Sequence, residues 1–291
     1  MKTVRDIKTL REMTRGWRQD GETIALVPTM GSLHQGHMRL VQLASEYAER
    51  VITSIYVNPT QFGPSEDFEA YPRPLDTDRR RLSRAGVDVM FAPGSEDIYP
   101  FGELQMTRVS VPGLSTILCG DQRPGHFDGV TSVVSRLFNI VQPDVAVFGQ
   151  KDYQQLVIIR RMVADLHLPI RIIAGQTHRE DDGLALSSRN RYLTDEQRAA
   201  APTLYHAISF CRDKMQAGDR NYARLEKEGV DTLMTAGFAP EYFAIRKAGD
   251  LSPPEPDSEH LIILAAARLG DARLIDNLLM EATNRVRSTG T

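Results

Sequence analysis

Cysteine is nearly absent: 291 residues contain only Cys119 and Cys211. That excludes a disulfide-framework fold and a thiolate zinc site, and two lone thiols fit a reducing compartment. Long apolar runs are missing as well. The longest, LIILAAA at 261–267, falls far short of the roughly 20 residues a bilayer-spanning helix requires, and the opening MKTVRDIKTL lacks the apolar centre of a signal peptide. The expectation is a cytoplasmic protein with no membrane contact. Nor is there a charge excess, since 35 Lys and Arg face 38 Asp and Glu for a net charge of −3. Bulk attraction to nucleic acid or anionic lipid is thereby excluded, and any polyanion must be gripped by a local site. No internal repeat or low-complexity segment interrupts the chain.

What is present is the composition of a globular protein, 41% hydrophobic and 25% charged, long enough for one large or two ordinary domains. Val4, Ile7, Leu10 and Trp17 predict a helix over 4–20, closed by Gly21. Short β-rich runs follow at 23–29, 51–57, 87–93, 144–149 and 169–175, the kind that parallel strands buried on both faces require. Helical patterns lie between them. Val130, Val133, Val134, Leu137, Phe138 and Val141 make one helical face, and Leu156, Ile159, Val163 and Leu166 another. This alternation predicts an α/β fold, a Rossmann-like doubly wound parallel sheet over 1–176, with ligands beyond the carboxyl ends of the strands. Over 177–291 the pattern changes to helices at 193–215 and 221–237 and strands at 241–247 and 260–270. These predict a smaller C-terminal α+β domain ending in a frayed STGT tail.

The stretch VPTMGSLHQGHMRLV (27–41) places His34 and His37, two of only seven histidines, at a strand-to-helix junction. A helix beginning near Gln35 offers unpaired backbone N–H groups and the positive end of its dipole to an anion. Gly31 and Gly36 let the backbone approach a ligand closely. Imidazole adds an N–H donor whose charge can respond as phosphate charge builds up. A pair of surface histidines, or half of a zinc site without a third ligand at suitable spacing, remains the alternative.

VPTMGSLHQGH resembles the HIGH signature of the nucleotidyltransferase superfamily in the form used by the pantothenate synthetase (pantoate:β-alanine ligase) family. Further likenesses are VNPTQFGPSEDFEAYPR (57–73), RPGHFDGV (123–130), LFNIVQPDVAVFGQKDYQQL (137–156), DGLALSSRNRYL (182–193) and LGDARLIDN (269–277). The resemblance implies an AMP-forming ligase. ATP activates pantoate as a pantoyl adenylate with loss of pyrophosphate, and β-alanine then displaces AMP to give pantothenate. It also implies a homodimer, and Mg²⁺ accompanying the ATP with no protein residue declared as its ligand.

By the same resemblance His37 is the proton donor, and His34, Lys151, Ser188 and Arg189 complete the catalytic set. Met30, Gly31, Ser32, Leu33, Gln35 and Gly36 would line the nucleotide, joined by Gly149, Gln150, Lys151, Asp152, His178, Leu186 and Ser187. The domain carrying LSSR (186–189) would close over the triphosphate. Gln61 and Gln155, with Asn58 and Tyr71 beside them, would hold pantoate, and Gln61 would also lie near β-alanine. The family commonly has an acidic residue where this chain has Gln150 and an apolar one where it has His178. The segment 63–78, with Pro64, Pro72 and Pro74, reads as a loop able to act as a lid.

Other readings of the residues stay open at this point. Ser187 and Ser188 could merely cap a helix, Lys151 could be a solvated surface lysine, and the glutamines could be ordinary surface amides. A nucleotidylyltransferase acting on a phosphorylated acceptor, or a non-catalytic nucleotide sensor, would use the same histidine motif.

Overall fold

The computed structural model describes residues 1–64, 66, 68–255 and 257–280, so the STGT tail lies outside the described residues. The chain divides into two compact units, Met1–His178 and a second beginning at Arg179.

The first unit is built on six parallel strands: β1 (Lys2–Val4), β2 (Ile24–Thr29), β3 (Arg50–Ile55), β4 (Val89–Phe91), β5 (Val145–Gly149) and β6 (Arg171–Gly175), in the order β1-β4-β3-β2-β5-β6. Between them run α1 (Ile7–Gln19), α2 (Gln35–Ser45), α3 (Leu75–Arg84), the one-turn α4 (Ser95–Ile98) and α5 (Cys119–Gln122), α6 (His126–Val141) and α7 (Tyr153–Asp165). The central strand β2 is apolar because both its faces are covered, and Ile24, Ala25, Leu26 and Val27 are fully buried. All six apolar positions that mark α6 in the sequence are buried, each worth about 1.5–3 kcal/mol relative to exposure. Gln142, in the left-handed conformation at φ 53°, ends that helix.

Two expectations for the first unit need correction. The apolar spacing that predicts a helix from residue 4 overlooks Asp6, whose carboxylate accepts the Thr9 N–H at 2.8 Å and caps α1. Val4 therefore belongs to the edge strand β1, opposite Phe91. The 63–78 loop is also shorter than expected, since Leu75–Asp78 form the first turn of α3. Pro74 supplies the boundary, having no N–H to offer a preceding turn.

The second unit carries α8 (Asp195–Ala200), α9 (Thr203–Gln216) and α10 (Tyr222–Thr235) and an antiparallel sheet of β7 (Ala239–Lys247), β8 (Leu261–Leu269) and β9 (Ala272–Met280). The run expected as one helix over 193–215 is two, broken around Pro202. Strand β9 was not foreseen. Its hairpin turns at Gly270, whose φ of 58° suits glycine. Burial is concentrated between this sheet and α9 and α10, around Ile208, Met215, Leu233, Phe243 and Ile263. Both cysteines are buried, and neither is in a disulfide.

Candidate active site

In the six-stranded sheet the chain leaves β2 toward β3 on one side, while β5 and β6 lie on the other. The carboxyl ends of neighbouring β2 and β5 are therefore the topological switch point, where an open α/β sheet has its natural crevice. Residues 30–37 emerge from β2 there, and 149–152 emerge from β5.

His34 is the N-cap of α2, in an extended conformation at φ −127°. Its Nδ1 accepts the Gly36 N–H at 3.2 Å, and His37 Nδ1 accepts the N–H of His34, also at 3.2 Å. The rings lie with centroids 4.0 Å apart. A backbone N–H can only donate, so both Nδ1 atoms must be unprotonated, and each neutral ring carries its hydrogen on Nε2. Burial, reinforced by the Lys151 charge, lowers the His34 pKa to about 4. Burial and then His34 itself lower His37 to about 3. Before any ligand arrives the helix terminus thus presents two neutral Nε2–H donors in a fixed tautomer. Gly36 permits this, because a Cβ there would stand 3.0 Å from the His34 ring.

The loop leading to His34 is held by a device that the sequence reading missed. Gly31 and Ser32 both have positive φ, 81° and 52°. From the first turn of α3, the Asp78 carboxylate accepts the N–H groups of Ser32 at 2.8 Å and Leu33 at 2.9 Å, and Arg81, one turn on, donates to the Leu33 carbonyl. Thr29 Oγ1 accepts the Gly31 N–H at 3.2 Å while donating to the Ser54 carbonyl at 2.8 Å. Asp78 is 1% exposed, and burial raises its pKa despite the bonds it accepts. No sequence signal pointed to it, since Asp78 falls at the end of the segment that reads as a loop, and its place in the first turn of α3 shows only in the structure.

Lys151, Asp152, Arg81 and His178 all lie near enough to His34 to shift its titration. His178 also comes close to Gly36, within 3.8 Å of where a Cβ would stand. His178 therefore sits beside His34. Gln150 and Lys151 form a short turn between β5 and α7, with Asp152 exposed at its end. Gln155 is half-buried in the first turn of α7.

Gln61 and Asn58 form a second cluster in the same unit. Asn58 is fully buried. Its Nδ2 donates to the Gly129 carbonyl at 3.2 Å and to Gln61 Oε1 at 2.9 Å, while Oδ1 accepts from Tyr99 OH at 2.7 Å and from Thr60 Oγ1 at 3.1 Å. The Gly129 carbonyl can only accept, so it fixes which end of the Asn58 amide is nitrogen. The second Nδ2 hydrogen must then meet an oxygen, so Gln61 is held with Nε2 as its other end. Asn58, expected beside pantoate, here spends its amide hydrogen bonds on the protein, one of them on Gln61. Tyr71 is likewise buried, edge-on to Phe62 with centroids 5.7 Å apart. Gln61 lies on the wall of a cavity of about 910 Å³ that Arg108, Arg123 and His126 also line.

In the second unit Leu186 precedes a short 3₁₀ turn, Ser188–Tyr192, and Ser187 Oγ accepts the Arg189 N–H at 3.2 Å. Ser187 is therefore a cap, as the plainer reading had it. Accepting a bond leaves its O–H free to donate elsewhere. Behind this segment, Arg179 forks onto Asp276 at 2.5 and 2.8 Å and donates to the Gly183 carbonyl at 3.0 Å, with Tyr205 3.9 Å beneath its guanidinium.

A doubly wound parallel sheet with a paired-imidazole helix terminus at its switch point defines a nucleotide-binding α/β protein. The sequence matches the family described as pantoate-beta-alanine ligase over residues 2–279. It is 54% identical over 281 residues to the pantothenate synthetase of Nitrosococcus oceani, covering 97% of this chain and 98% of that protein. It is 52% identical to that of Ectopseudomonas mendocina, covering 97% and 99%. The crystal structure of pantothenate synthetase from Thermus thermophilus superposes with a TM-score of 0.89 at 45% identity over 96% of this chain and 99% of that one. Pantoate-beta-alanine ligase from Francisella tularensis, complexed with beta-gamma ATP and β-alanine, gives 0.78 at 33% identity, covering 96% and 97%. The chain belongs to the pantoate-β-alanine ligase family.

Proposed function

We propose that the chain joins pantoate to β-alanine with ATP, giving pantothenate, AMP and pyrophosphate. The observation that carries this reading is the pair of neutral Nε2–H donors at the N-terminus of α2. A carboxylate is a poor electrophile, so its oxygen first attacks the α-phosphorus of ATP, forming the C–O–P bond of an acyl adenylate and breaking the bond to pyrophosphate. The β-alanine amine, as free base, then attacks the acyl carbon. The amide forms, AMP leaves with the electron pair of the broken C–O bond, and the amine proton passes to solvent.

The backbone of Met30 to Leu33 and of Gln35 and Gly36 lines the nucleotide, and His34 and His37 donate to its phosphates. As charge gathers on the leaving pyrophosphate, the Nε2–H of His37 donates to it more strongly while Nδ1 keeps the His34 N–H, so His37 is the proton-donating group of the pair without leaving its neutral tautomer. Lys151 brings a point charge to the same oxygens, with Gly149, Gln150 and Asp152 around it. By the family resemblance, His178 and Leu186 border the adenosine, and Ser187, Ser188 and Arg189 are donors to the triphosphate. Gln61 and Gln155 bind pantoate as neutral amides, which hold its carboxylate without the ion pair that would blunt its attack.

Mg²⁺ enters with the nucleotide. Among the described residues no group of three or more His, Cys, Asp or Glu could hold a metal ion, and Asp78 is spent on backbone N–H groups. An accompanying Mg²⁺ would then draw its oxygen ligands from the nucleotide and water, and it would supply charge neutralisation for the pyrophosphate leaving group. The enzyme works as a cytoplasmic homodimer. No helix among the described residues is long and apolar enough to cross a membrane.

Mass detection of pantothenate from ATP, pantoate and β-alanine tests the whole reading. Release of AMP that depends on β-alanine separates it from a nucleotidylyltransferase acting on a phosphorylated acceptor. His37→Ala and Lys151→Ala are each expected to abolish pantoate-dependent pyrophosphate release with the fold intact, and near-normal release by either folded variant refutes the assignment.

A further inference from the structure

The peptide carbonyl of Gln61 is gripped as firmly as its side chain. His126 Nδ1 lies 2.7 Å from that oxygen, and Arg123 Nη2 donates to it at 3.2 Å. Arg123 Nη1 meets His126 Nε2 at 3.0 Å. A guanidinium has no lone pair to offer, so Nε2 must accept and Nδ1 must carry the hydrogen. This is the opposite tautomer to that of His34 and His37, and it is fixed by the same kind of argument. Arg123 is aimed in turn by Glu66, whose two carboxylate oxygens take its Nε and Nη2 at 2.6 Å each. The turn carrying Gln61 also sits directly on α6, since a Cβ at Gly129 would fall 2.2 Å from the Thr60 carbonyl oxygen.

We propose that Arg123 and His126 are positioning residues that set Gln61 for pantoate, with Glu66 orienting Arg123. Neither needs to touch the substrate. Together with Asn58 they brace Gln61 from both ends, the amide through one partner and the carbonyl through two, so that its Nε2 hydrogens are presented in one direction. Both lone pairs of the carbonyl are used, and removing one donor lets the 59–61 turn shift. A displacement of an ångström at a substrate-orienting group is enough to cost about a hundredfold. The proposal rests on Gln61 being a pantoate ligand.

Steady-state pyrophosphate release, with pantoate and ATP varied separately, tests it. His126→Leu is expected to raise KM for pantoate about tenfold or more and change KM for ATP less than about twofold. His126→Asn, whose Nδ2–H can replace the ring Nδ1–H, restores KM for pantoate to within about threefold of the parent. Arg123→Lys, which keeps the charge but not the fork, shows the same split and carries the test if His126→Leu fails to fold. Parallel changes in both KM values, an unchanged KM for pantoate, or no rescue by asparagine overturns the positioning role while the parent enzyme remains active. A parent enzyme without pantoate-dependent pyrophosphate release overturns the pantoate reading itself, and this proposal with it.

Discussion

Replacing Asp78 with Asn tests whether the loop before His34 is clamped as described. The carboxylate accepts two backbone N–H groups at 2.8 and 2.9 Å, and an amide has one oxygen for that pair. Its nitrogen would face the second N–H, donor against donor. A hydrogen bond to a charged group contributes about 1.5–3 kcal/mol, and a buried N–H left without an acceptor costs about 1–3 kcal/mol. Against this, a neutral side chain avoids part of the desolvation that raises the Asp78 pKa, which places the net cost near the lower end, about 2 kcal/mol. If that cost falls on the conformation that aims His34 and His37, kcat/KM for ATP in pantoate-dependent pyrophosphate release drops about 30-fold. KM for pantoate, whose proposed ligand Gln61 is braced by other residues, stays within about twofold. The assay is run below the unfolding midpoint of the variant. A folded Asp78→Asn protein whose kcat/KM for ATP falls by less than about threefold would show that the loop keeps its shape without the clamp.

Several other outcomes follow from the same geometry. Nitrogen-15 NMR at pH 7 without nucleotide should find His34 and His37 neutral and protonated on Nε2, with midpoints near 4 and 3; a Nδ1–H signal or a midpoint near 6.5 counts against the tautomer assignment. Because the unfolded chain takes up those protons near 6.5 and the folded one resists, the stability these residues contribute is present above that pH and is lost as pH falls toward 4 and 3. A denaturation midpoint insensitive to histidine substitution across that window refutes the linkage. Gly36→Ala should separate stability from activity: helix propensity improves by up to about 1 kcal/mol, while a Cβ 3.0 Å from the His34 ring displaces it and lowers ATP turnover about tenfold, so unchanged turnover is the contrary result. Arg179→Met leaves the buried Asp276 carboxylate unpaired and should destabilise by about 3–5 kcal/mol, read as a lower melting temperature.

The elements legible in the sequence were those whose signal is local. The buried face of α6 repeats every three or four residues, β2 and β5 are continuous apolar runs, and the histidines sit within one helical turn. Strand β1 is only three residues long, too short to show alternation, and its Val4 happens to fall in phase with the helix that follows. The groups that hold the site together were invisible for a different reason. Asp78 and Ser32 are 46 residues apart and His126 and Gln61 are 65 apart, and no periodicity links them. Asn58 is a further case, since its type suits a ligand contact while its bond to Gln61 shows only in the folded chain.

Two imidazoles one helical turn apart are the arrangement ordinarily used to capture nickel or zinc from solution. Here the lone pairs that such an ion needs are turned inward and occupied by peptide hydrogens. Capture would require each ring to move its hydrogen to the inner nitrogen, setting N–H against N–H and undoing the start of the helix. The two backbone bonds that fix the tautomer of these rings therefore also withhold from a transition metal the lone pairs it would need.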